Sequence, residues 1–254
     1  APCPVKVFEG LRKVFGVEEV LTMYGMTEAG PGISSTSITS LDQAEHPGGS
    51  ELWPGVNVQI RALGGPERAA DSSESGPERV KAERRVLEPG EIGEICVESF
   101  GVMQCYYKNP QETAKALDRN GWLRTGDMGY LSPEGKLFLT GRCKDLIIRG
   151  GENISPGEVE EFLRKNPQVE DAAVVGVPDA QYGELVFAFI KPAAGEAIDR
   201  KALAAWCRGK IATIKIPQFM AETEAFPETG SGKVDKKELK KLASVLCKKP
   251  ECRV

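Results

Sequence analysis

Two apolar runs in the second half of the chain constrain its fold more than any other feature. They are DAAVVGVPD, residues 171–179, and ELVFAFIKP, residues 184–192. Short runs of this kind, rich in Val and Phe and bounded by turn residues, are typical of strands in the interior of a domain. We therefore predict two buried strands in this part of the chain.

A helix is predicted just before the first of these strands, in ISPGEVEEFLRKN, residues 154–166. Ser155 stands at the N-cap and Pro156 at the first helical position, where its missing N–H costs nothing. Glu158 follows three residues after the cap, which completes the pattern of a capping box. Val159, Phe162 and Leu163 then recur at helical spacing.

Two further amphipathic helices are predicted at residues 199–211 and 235–246. The second begins with Asp235 and Glu238, which have the spacing of another capping pair. Apolar residues recur at helical spacing in both segments, so one face of each helix is predicted to be buried. The residues predicted to point inward are Leu203, Trp206 and Cys207 in the first helix and Leu239, Leu242, Val245 and Leu246 in the second.

The first part of the chain is predicted to be mainly β structure. Residues 20–24 form a short apolar run that leads into a glycine-containing loop, and residues 92–97 suggest another strand. The sequence SPEG, residues 132–135, has Pro and Gly at the positions of a tight turn, which predicts a hairpin. A short strand is predicted in DLIIRG, residues 145–150.

This change of pattern predicts an α+β fold in two parts. The β-rich part covers residues 1–143, and a small α+β domain covers residues 144–254. The polar, glycine-led GRCKD, residues 141–145, is a candidate hinge between them. Residues 62–85 are rich in Gly, Pro, Ser and charge and have no apolar period, which predicts a flexible insertion.

Composition excludes several classes of function. The chain of 254 residues is 41% hydrophobic, which allows a sizeable core, and its net charge of -4 does not favour nucleic acid or an anionic membrane as partner. Seven cysteines without a CxxC pair indicate neither a disulfide framework nor a zinc site. With no apolar membrane span and no signal peptide in the sequence, we expect a soluble intracellular protein.

The first candidate site is YGMTEAGP, residues 24–31. It places an aromatic ring, a glycine, a hydroxyl and a carboxylate within five positions at the end of a strand. Such a loop could stack a base on Tyr24, bring Thr27 to a phosphate oxygen and offer Glu28 to Mg²⁺, which prefers oxygen ligands. Taken alone, the pattern is more typical of an ordinary polar loop.

Further candidates follow along the chain. In RTGDMGY, Asp127 after a glycine turn could hold a ribose diol, and Arg142 in LTGRCKD is a permanent cation. Gly150 and Gly151 in RGGENISPGEVE would let the backbone approach a ligand closely. Lys233 in ETGSGKVD lacks the spacing of a P-loop, and an isolated GSGK is most typical of a solvated turn before a helix.

Taken in order, these motifs resemble the adenylate-forming superfamily, specifically acyl-CoA synthetases of the 4-coumarate-CoA ligase type. The match extends from near residue 10 to about residue 240, and a chance match of the ordered set is negligible. The motifs that carry it are YGMTEAGP, GEIGEICV, YYKNPQET, GWLRTGD, GRCKDLI, GGENISPGEVE and PETGSGK.

The resemblance assigns residues to the nucleotide. Tyr24, in a loop with Gly25, would pack on adenine, Thr27 would contact the α-phosphate and Glu28 would help to hold Mg²⁺. Asp127 would bind both ribose hydroxyls, and the ribose would also be contacted by Arg142.

The resemblance also assigns residues to the moving part of such enzymes. Lys144 would be the hinge between the large and small domains. Gly150 and Gly151 would line the tunnel for the pantetheine of CoA, and Lys233 would be the lysine that adenylation requires. The fold it implies is the β-rich C-terminal part of a large adenylate-forming domain, followed by a small mobile α+β domain.

The implied function is that of an acid–thiol ligase. A carboxylic acid and ATP would form an acyl-adenylate, and CoA would then form the thioester with release of AMP. The implied cofactors and co-substrates are therefore ATP, Mg²⁺ and CoA, and the partner is a small-molecule carboxylic acid. A cytoplasmic location is expected, and the terminal CRV bears only a faint likeness to a peroxisomal signal, since it lacks the final leucine of S-K-L.

Some features depart from the family pattern. A Ser/Thr/Gly-rich phosphate loop ending in Pro-Lys-Gly is expected upstream of YGMTE, and the sequence does not contain it. We therefore expect the chain to be the C-terminal portion of a longer enzyme and to be inactive by itself. Cys105 stands where the family usually has glycine, and GGSELWPG also differs from the usual motif.

Two alternatives remain open from the sequence. One is an adenylating enzyme whose acyl acceptor is a carrier-protein thiol or oxygen instead of CoA. The other is a non-catalytic remnant that serves as a binding module. The presence of Thr27, Glu28, Asp127, Arg142 and Lys233 argues against the second, since a scaffold has no use for that set.

Overall fold

A computed structural model of the chain divides into two compact units, Ala1–Thr140 and Gly141–Val254. It describes residues 5–30, 32–45, 48–63, 84–230 and 232–254. The insertion predicted at 62–85 lies almost wholly outside the described residues. The predicted domain boundary, between residues 143 and 144, is close to the division into units.

The first unit contains two antiparallel sheets and three short helices in its described part. The sheets have the strand orders β1-β2-β3 and β4-β5-β6-β7. The strands are β1 Val20–Tyr24, β2 Ser34–Ile38, β3 Glu51–Leu52, β4 Val56–Arg61, β5 Gly93–Ser99, β6 Leu123–Leu131 and β7 Leu137–Arg142, the last of which crosses the division. The helices are α1 Val5–Phe15, α2 Leu41–Glu45 and α3 Pro110–Ala116.

These elements confirm most of the β structure predicted for this part. The strand at 20–24 and the hairpin around SPEG are present, and Gly135 in the turn has a φ of 81°. Apolar side chains from both sheets and from the loop after β1 form one core. Its buried members are Ala29, Ile33, Ile60, Ile95, Val97, Leu123 and Leu137.

A largely buried ion pair fixes the start of β6. Arg61 Nη1 lies 2.7 Å from Asp118 Oδ2, while the Asp118 Oδ1 accepts the backbone N–H groups of Asn120 and Trp122 at 2.8 and 2.9 Å. Burial would raise the pKa of Asp118, but the hydrogen bonds from Arg61, Trp122 and Asn120 outweigh it and lower that pKa. The segment that leads into β6 is thereby tied to β4.

The described part of the second unit contains a five-stranded sheet with helices packed on it. The strand order is β10-β11-β8-β9, and β12 pairs with β11 in parallel. The strands are β8 Ile147–Arg149, β9 Glu152–Ile154, β10 Val169–Asp179, β11 Gly183–Pro192 and β12 Phe219–Glu222. The helices are α4 Pro156–Arg164, α5 Arg200–Cys207 and α6 Lys236–Leu246.

Both faces of β10 are buried, which confirms the strands predicted from the two apolar runs. Ala172 and Val174 belong to the cluster that includes α4 and α5 residues such as Leu163 and Leu203. Ala173, Val175 and Val177 belong to the opposite cluster, which includes Leu239 and Ala243 of α6. Because side chains alternate along a strand, helices on both sides require an uninterrupted apolar sequence.

The helix starts only partly follow the predicted capping pattern. Asp235 caps α6 by accepting the N–H groups of Lys237 and Glu238 at 2.9 and 3.1 Å. Ser155 occupies the N-cap position of α4, but its side chain makes no capping hydrogen bond, so the predicted capping box is wrong. Glu158 of α4 instead forms an ion pair with Lys215, whose Nζ lies 2.5 Å from the Glu158 Oε1.

Two of the side chains predicted to point inward on α6 are exposed. Leu239 is buried, but Leu242 and Val245 are 43% and 62% exposed. The helix packs on the sheet mainly through Leu239 and Ala243, with Leu246 partly buried, so its apolar contact is narrower than predicted. The helix predicted at 199–211 ends at Cys207.

The mixture of helices and antiparallel sheets confirms the predicted α+β fold class. Within the described part of the chain, no helix combines the length and the apolarity that a membrane span would need.

Candidate functional site

The loop after β1 is anchored by its backbone and leaves its polar side chains near the surface. Ile33 N–H donates to the Tyr24 carbonyl at 2.8 Å and closes the loop. Residues Thr27–Ala29 form one 3-10 turn, in which Ala29 is 2% exposed and belongs to the core. Thr27 is exposed and Glu28 is half-buried as a consequence.

Tyr24 is held against Asp127, which is 103 positions later in the sequence. The Tyr24 hydroxyl donates to the Asp127 Oδ2 at 3.0 Å. Both residues were predicted from the sequence to contact a nucleotide, and the structure brings them together in the first unit. The hydrogen bond fixes the ring and the carboxylate relative to each other.

A bulge in β6 presents Asp127. In the pairing with β5, Glu94 lies opposite Met128 and Cys96 lies opposite Arg124, so residues 125–127 face the single residue Ile95. Gly126 has a φ of 72°, a conformation that favours glycine. Bulges of this kind redirect a side chain out of the regular sheet pattern.

Thr125 stabilises this bulge and was missed by the sequence reasoning. Its hydroxyl donates to the Ile95 carbonyl at 2.8 Å and accepts the Asp127 N–H at 3.0 Å. The backbone at Asp127 is therefore held by a side chain from within the bulge itself.

Glu28 is held by Tyr106, which the sequence reasoning also did not single out. The Tyr106 hydroxyl donates to the Glu28 Oε1 at 2.9 Å, and Met103 N–H donates to the Glu28 carbonyl at 2.8 Å. The pKa of the Tyr106 hydroxyl is raised, first by burial and then by the hydrogen bond to the Glu28 carboxylate. Tyr106 lies in the quoted motif YYKNPQET, which was the signal available in the sequence.

Two reciprocal contacts therefore hold the loop of residues 24–28. At the first residue of the loop, the Tyr24 hydroxyl donates to the carboxylate of Asp127. At the last residue, the Glu28 carboxylate accepts a hydrogen bond from the Tyr106 hydroxyl. We call this arrangement the double clamp, formed by Tyr24–Asp127 and Glu28–Tyr106. It fixes the carboxylates of Asp127 and Glu28 relative to the loop that carries Thr27.

The donors at Glu28 fit a magnesium ion that is bound mainly through a nucleotide. Among the residues that the structure describes, no group of three or more His, Cys, Asp or Glu side chains could hold a metal. Mg²⁺ is commonly bound by one or two carboxylates together with substrate phosphates and water. A single half-buried carboxylate such as Glu28 meets that requirement.

The remaining predicted residues lie beyond the division at Thr140. Arg142 ends β7 and is exposed, and Lys144 is exposed in the 3-10 turn Cys143–Asp145. Gly150 and Gly151 form the turn between β8 and β9, with φ values of 60° and 88°. The Gly150 N–H donates to the carbonyl of Tyr182 at 2.7 Å, which fixes one side of this turn.

Lys233 lies in an exposed turn that precedes α6. Thr229 N–H donates to the Lys233 carbonyl at 2.7 Å, and Lys233 N–H donates to the Thr229 Oγ1 at 3.3 Å. A β-bridge joins Glu228 to Val234. The backbone is thus shaped as a small hairpin, while the Lys233 side chain makes no hydrogen bond or ion pair with any described residue.

Two parts of the sequence match models of the AMP-binding enzymes. Residues 1–107 match the AMP-binding enzyme family, and residues 158–233 match the AMP-binding enzyme C-terminal domain. The chain belongs to the adenylate-forming (AMP-binding) superfamily.

Relatives and solved structures of this superfamily agree with that assignment. Putative acyl-CoA synthetase YngI from Bacillus subtilis is 38% identical over 240 residues, covering 94% of this chain and 40% of that protein. ATP-bound MatB from Rhodopseudomonas palustris matches with a TM-score of 0.78 at 28% identity, covering 96% and 44% of the two chains. O-succinylbenzoate CoA synthetase (MenE) from B. subtilis, in complex with the acyl-adenylate OSB-AMP, matches with a TM-score of 0.71 at 31% identity, covering 94% and 44%.

The chain therefore spans less than half the length of these proteins. Within this superfamily the sequence resembles the acyl-CoA ligases. The AMP-binding match lies in the first unit of the chain, and the C-terminal-domain match lies in the second.

Proposed function

We propose that the chain provides the nucleotide-binding loops and the adenylation lysine of an AMP-forming acyl-CoA synthetase. The double clamp is the observation that carries this proposal. It gathers Tyr24, Glu28 and Asp127, which the family resemblance assigns to adenine, metal and ribose, although 103 positions separate the first from the last. A non-catalytic binding module would not require two carboxylates to be fixed in this way.

Asp127 can bind a ribose while it remains clamped. An ionised carboxylate has about four lone-pair positions, and the hydroxyl of Tyr24 occupies one of them, at Oδ2. The contact with Tyr24 therefore does not prevent the same carboxylate from accepting hydrogen bonds from ribose hydroxyls. The same bond holds the Tyr24 ring in a fixed orientation, which suits stacking on adenine, and Arg142 would contribute at the ribose.

The first half-reaction makes the mixed anhydride. The substrate carboxylate attacks the α-phosphorus of ATP, the bond to the bridging oxygen breaks, and pyrophosphate leaves. Negative charge develops around the phosphorus, so groups aimed at that position stabilise the transition state. Thr27 would contact the α-phosphate and Lys233 would supply a positive charge; Mg²⁺ held at Glu28 would neutralise phosphate charge.

The second half-reaction forms the thioester. The thiolate of CoA attacks the acyl carbon, and AMP leaves with the former anhydride oxygen. This step requires no lysine at the phosphate, so one nucleotide site can serve both reactions if the lysine is withdrawn. Lys144 would be the hinge for that motion, and the turn at Gly150 and Gly151 would line the path of the pantetheine.

The activity is tested in the longest natural chain that carries this sequence, here called the complete protein. We expect pyrophosphate release with a suitable aliphatic or aryl acid and AMP release that depends on CoA. The 254 residues alone are expected to bind AMP weakly and to form no acyl-CoA. Absence of acid-dependent pyrophosphate release across a broad panel of acids would contradict the proposal.

The acceptor is tested separately, because a carrier-protein thiol or oxygen would use the same adenylate. Acyl-AMP is supplied directly, and AMP release is compared with CoA, with a phosphopantetheinylated carrier protein and with oxygen. Fast release with CoA supports the acyl-CoA ligase. Release with carrier protein alone would support the alternative acceptor while retaining the adenylation chemistry.

The hinge is tested by Lys144→Pro in the complete protein. Proline restricts φ at this position, so we expect adenylate formation to be retained and thioester formation to be blocked. Lys165→Ala, at the exposed lysine that follows α4, is the control for loss of a lysine charge and should leave both rates unchanged. Unimpaired thioester turnover in Lys144→Pro would show that Lys144 is not the hinge.

A further inference from the structure

We propose that Tyr106 is a positioning residue for Glu28, fixing which carboxylate oxygen faces a divalent cation and the nucleotide phosphates. The inference rests on the proposed metal role of Glu28. Its observation is the 2.9 Å hydrogen bond from the Tyr106 hydroxyl to the Glu28 Oε1, across 78 sequence positions. With Oε1 engaged, Oε2 is the oxygen left for the cation.

Glu28 needs such a partner because its side chain has several rotatable bonds. The segment 103–106 holds it twice, since Met103 N–H binds the Glu28 carbonyl at 2.8 Å while Tyr106 binds the carboxylate. Backbone and side chain are therefore positioned by the same segment. Residues that hydrogen-bond to a metal ligand in this way usually have a strong effect on the affinity for the metal.

Tyr106 is itself held in place by the start of α3. Its N–H donates to the Thr113 Oγ1 at 3.0 Å, and that hydroxyl donates to the Asn109 carbonyl at 2.8 Å. Asn109 also caps the helix by accepting the N–H of Glu112 at 3.2 Å. Tyr106 is thus held by the hydrogen-bonded N-terminus of α3. Through its hydroxyl it holds the Glu28 carboxylate in a fixed position.

The neighbouring residue provides a matched comparison. Tyr107 is 84% exposed, and its described contact is with Lys108, whose Nζ lies 5.1 Å from the ring centroid. Replacing either tyrosine by phenylalanine removes one hydroxyl and keeps the ring. Only the change at Tyr106 removes a hydrogen bond to a carboxylate.

The experiment measures metal binding in the complete protein with ATP, using Mn²⁺ as the probe and electron paramagnetic resonance to count free ions. We expect Tyr106→Phe to weaken Mn²⁺ binding by about tenfold, within the range for partners of metal ligands. Tyr107→Phe should bind Mn²⁺ like the wild type. The melting temperature of each variant establishes that the folded fraction is unchanged.

Glu28→Gln and the double variant Glu28→Gln/Tyr106→Phe separate the possible outcomes. If Tyr106 acts through Glu28, the double variant should bind Mn²⁺ no more weakly than Glu28→Gln alone. Wild-type binding in Tyr106→Phe, or additive losses in the double variant, would overturn the inference while leaving the proposed function intact. Unchanged Mn²⁺ binding in Glu28→Gln would overturn both the metal role of Glu28 and the inference.

Discussion

The loop of residues 24–28 and the turn of residues 228–234 are built in opposite ways. In the loop, Tyr24 and Glu28 are half-buried and are held by partners far away in the sequence. In the turn, the hydrogen bonds shown are local, and the Lys233 side chain has no partner among the described residues. The loop fixes its candidate site groups, whereas the described residues leave the candidate lysine of the turn unrestrained.

The difference has a physical meaning for the proposed reaction. Groups that bind the nucleotide in both half-reactions gain from being fixed before the ligand arrives, because no reorganisation is then required. A lysine needed in one half-reaction only must be able to arrive and leave. Few contacts and an exposed backbone are the features of a segment that moves at low free-energy cost.

The largest expected effect is in the turn. In the complete protein, Lys233→Ala should reduce adenylate formation by at least about a hundredfold, as expected for the loss of a charge aimed at a transition state. Thioester formation from supplied acyl-AMP should be largely retained. Lys237→Ala, at an exposed lysine on α6, is the control for general loss of positive charge. Equal loss of both half-reactions in Lys233→Ala would show that the lysine is structural.

A smaller effect is expected in the clamped region from Asp127→Asn. Hydrogen bonds to a charged group contribute about 1.5–3 kcal/mol, so AMP affinity should fall by roughly tenfold to a hundredfold. Calorimetric titration of the complete protein with AMP measures this loss. Both half-reactions should suffer, in contrast to Lys233→Ala. Glu134→Gln, at an exposed carboxylate in the β6–β7 turn, should bind AMP normally.

The smallest expected effect is on the free energy of unfolding, and it is tested by replacing one glycine in each region. Gly126→Ala should lower the free energy of unfolding by about 1–2 kcal/mol, because alanine is strained at a φ of 72°. Gly230→Ala should change it by less than about 0.5 kcal/mol, since a methyl group there has no atom within 4 Å. Urea denaturation measures both. Similar costs at the two positions would contradict the stated difference in backbone constraint.

Much of the secondary structure could be predicted because its signals are local. Asp235 caps α6 as its sequence position indicates, and the two apolar runs are β10 and β11. The capping box at Ser155 failed because the Ser155 side chain makes no capping hydrogen bond, and Glu158 pairs with Lys215, 57 positions away. Leu242 and Val245 are exposed because the sheet beneath α6 contacts a narrower stripe than helical periodicity alone predicts.

Sequence motifs named the residues of the candidate site but not the contacts between them. Motif resemblance named Tyr24, Glu28 and Asp127, whereas Thr125 and Tyr106 became visible through their hydrogen bonds. Contacts across 78 and 103 positions depend on the packing of sheets and leave no local sequence signal. The bulge at 125–127 likewise depends on the register of β5 with β6.

The coverage of β10 by helices on both sides has a consequence for how the second unit can vary. Both faces of that strand are buried, so neither face can present a side chain to a ligand. The positions proposed for chemistry in this unit all lie in turns: Lys144, Gly150, Gly151 and Lys233. Substitutions at the exposed Lys144 and Lys233 can therefore change the proposed chemistry with little effect on the core of this unit. At Gly150 and Gly151 the positive φ values make the same change a change in stability as well.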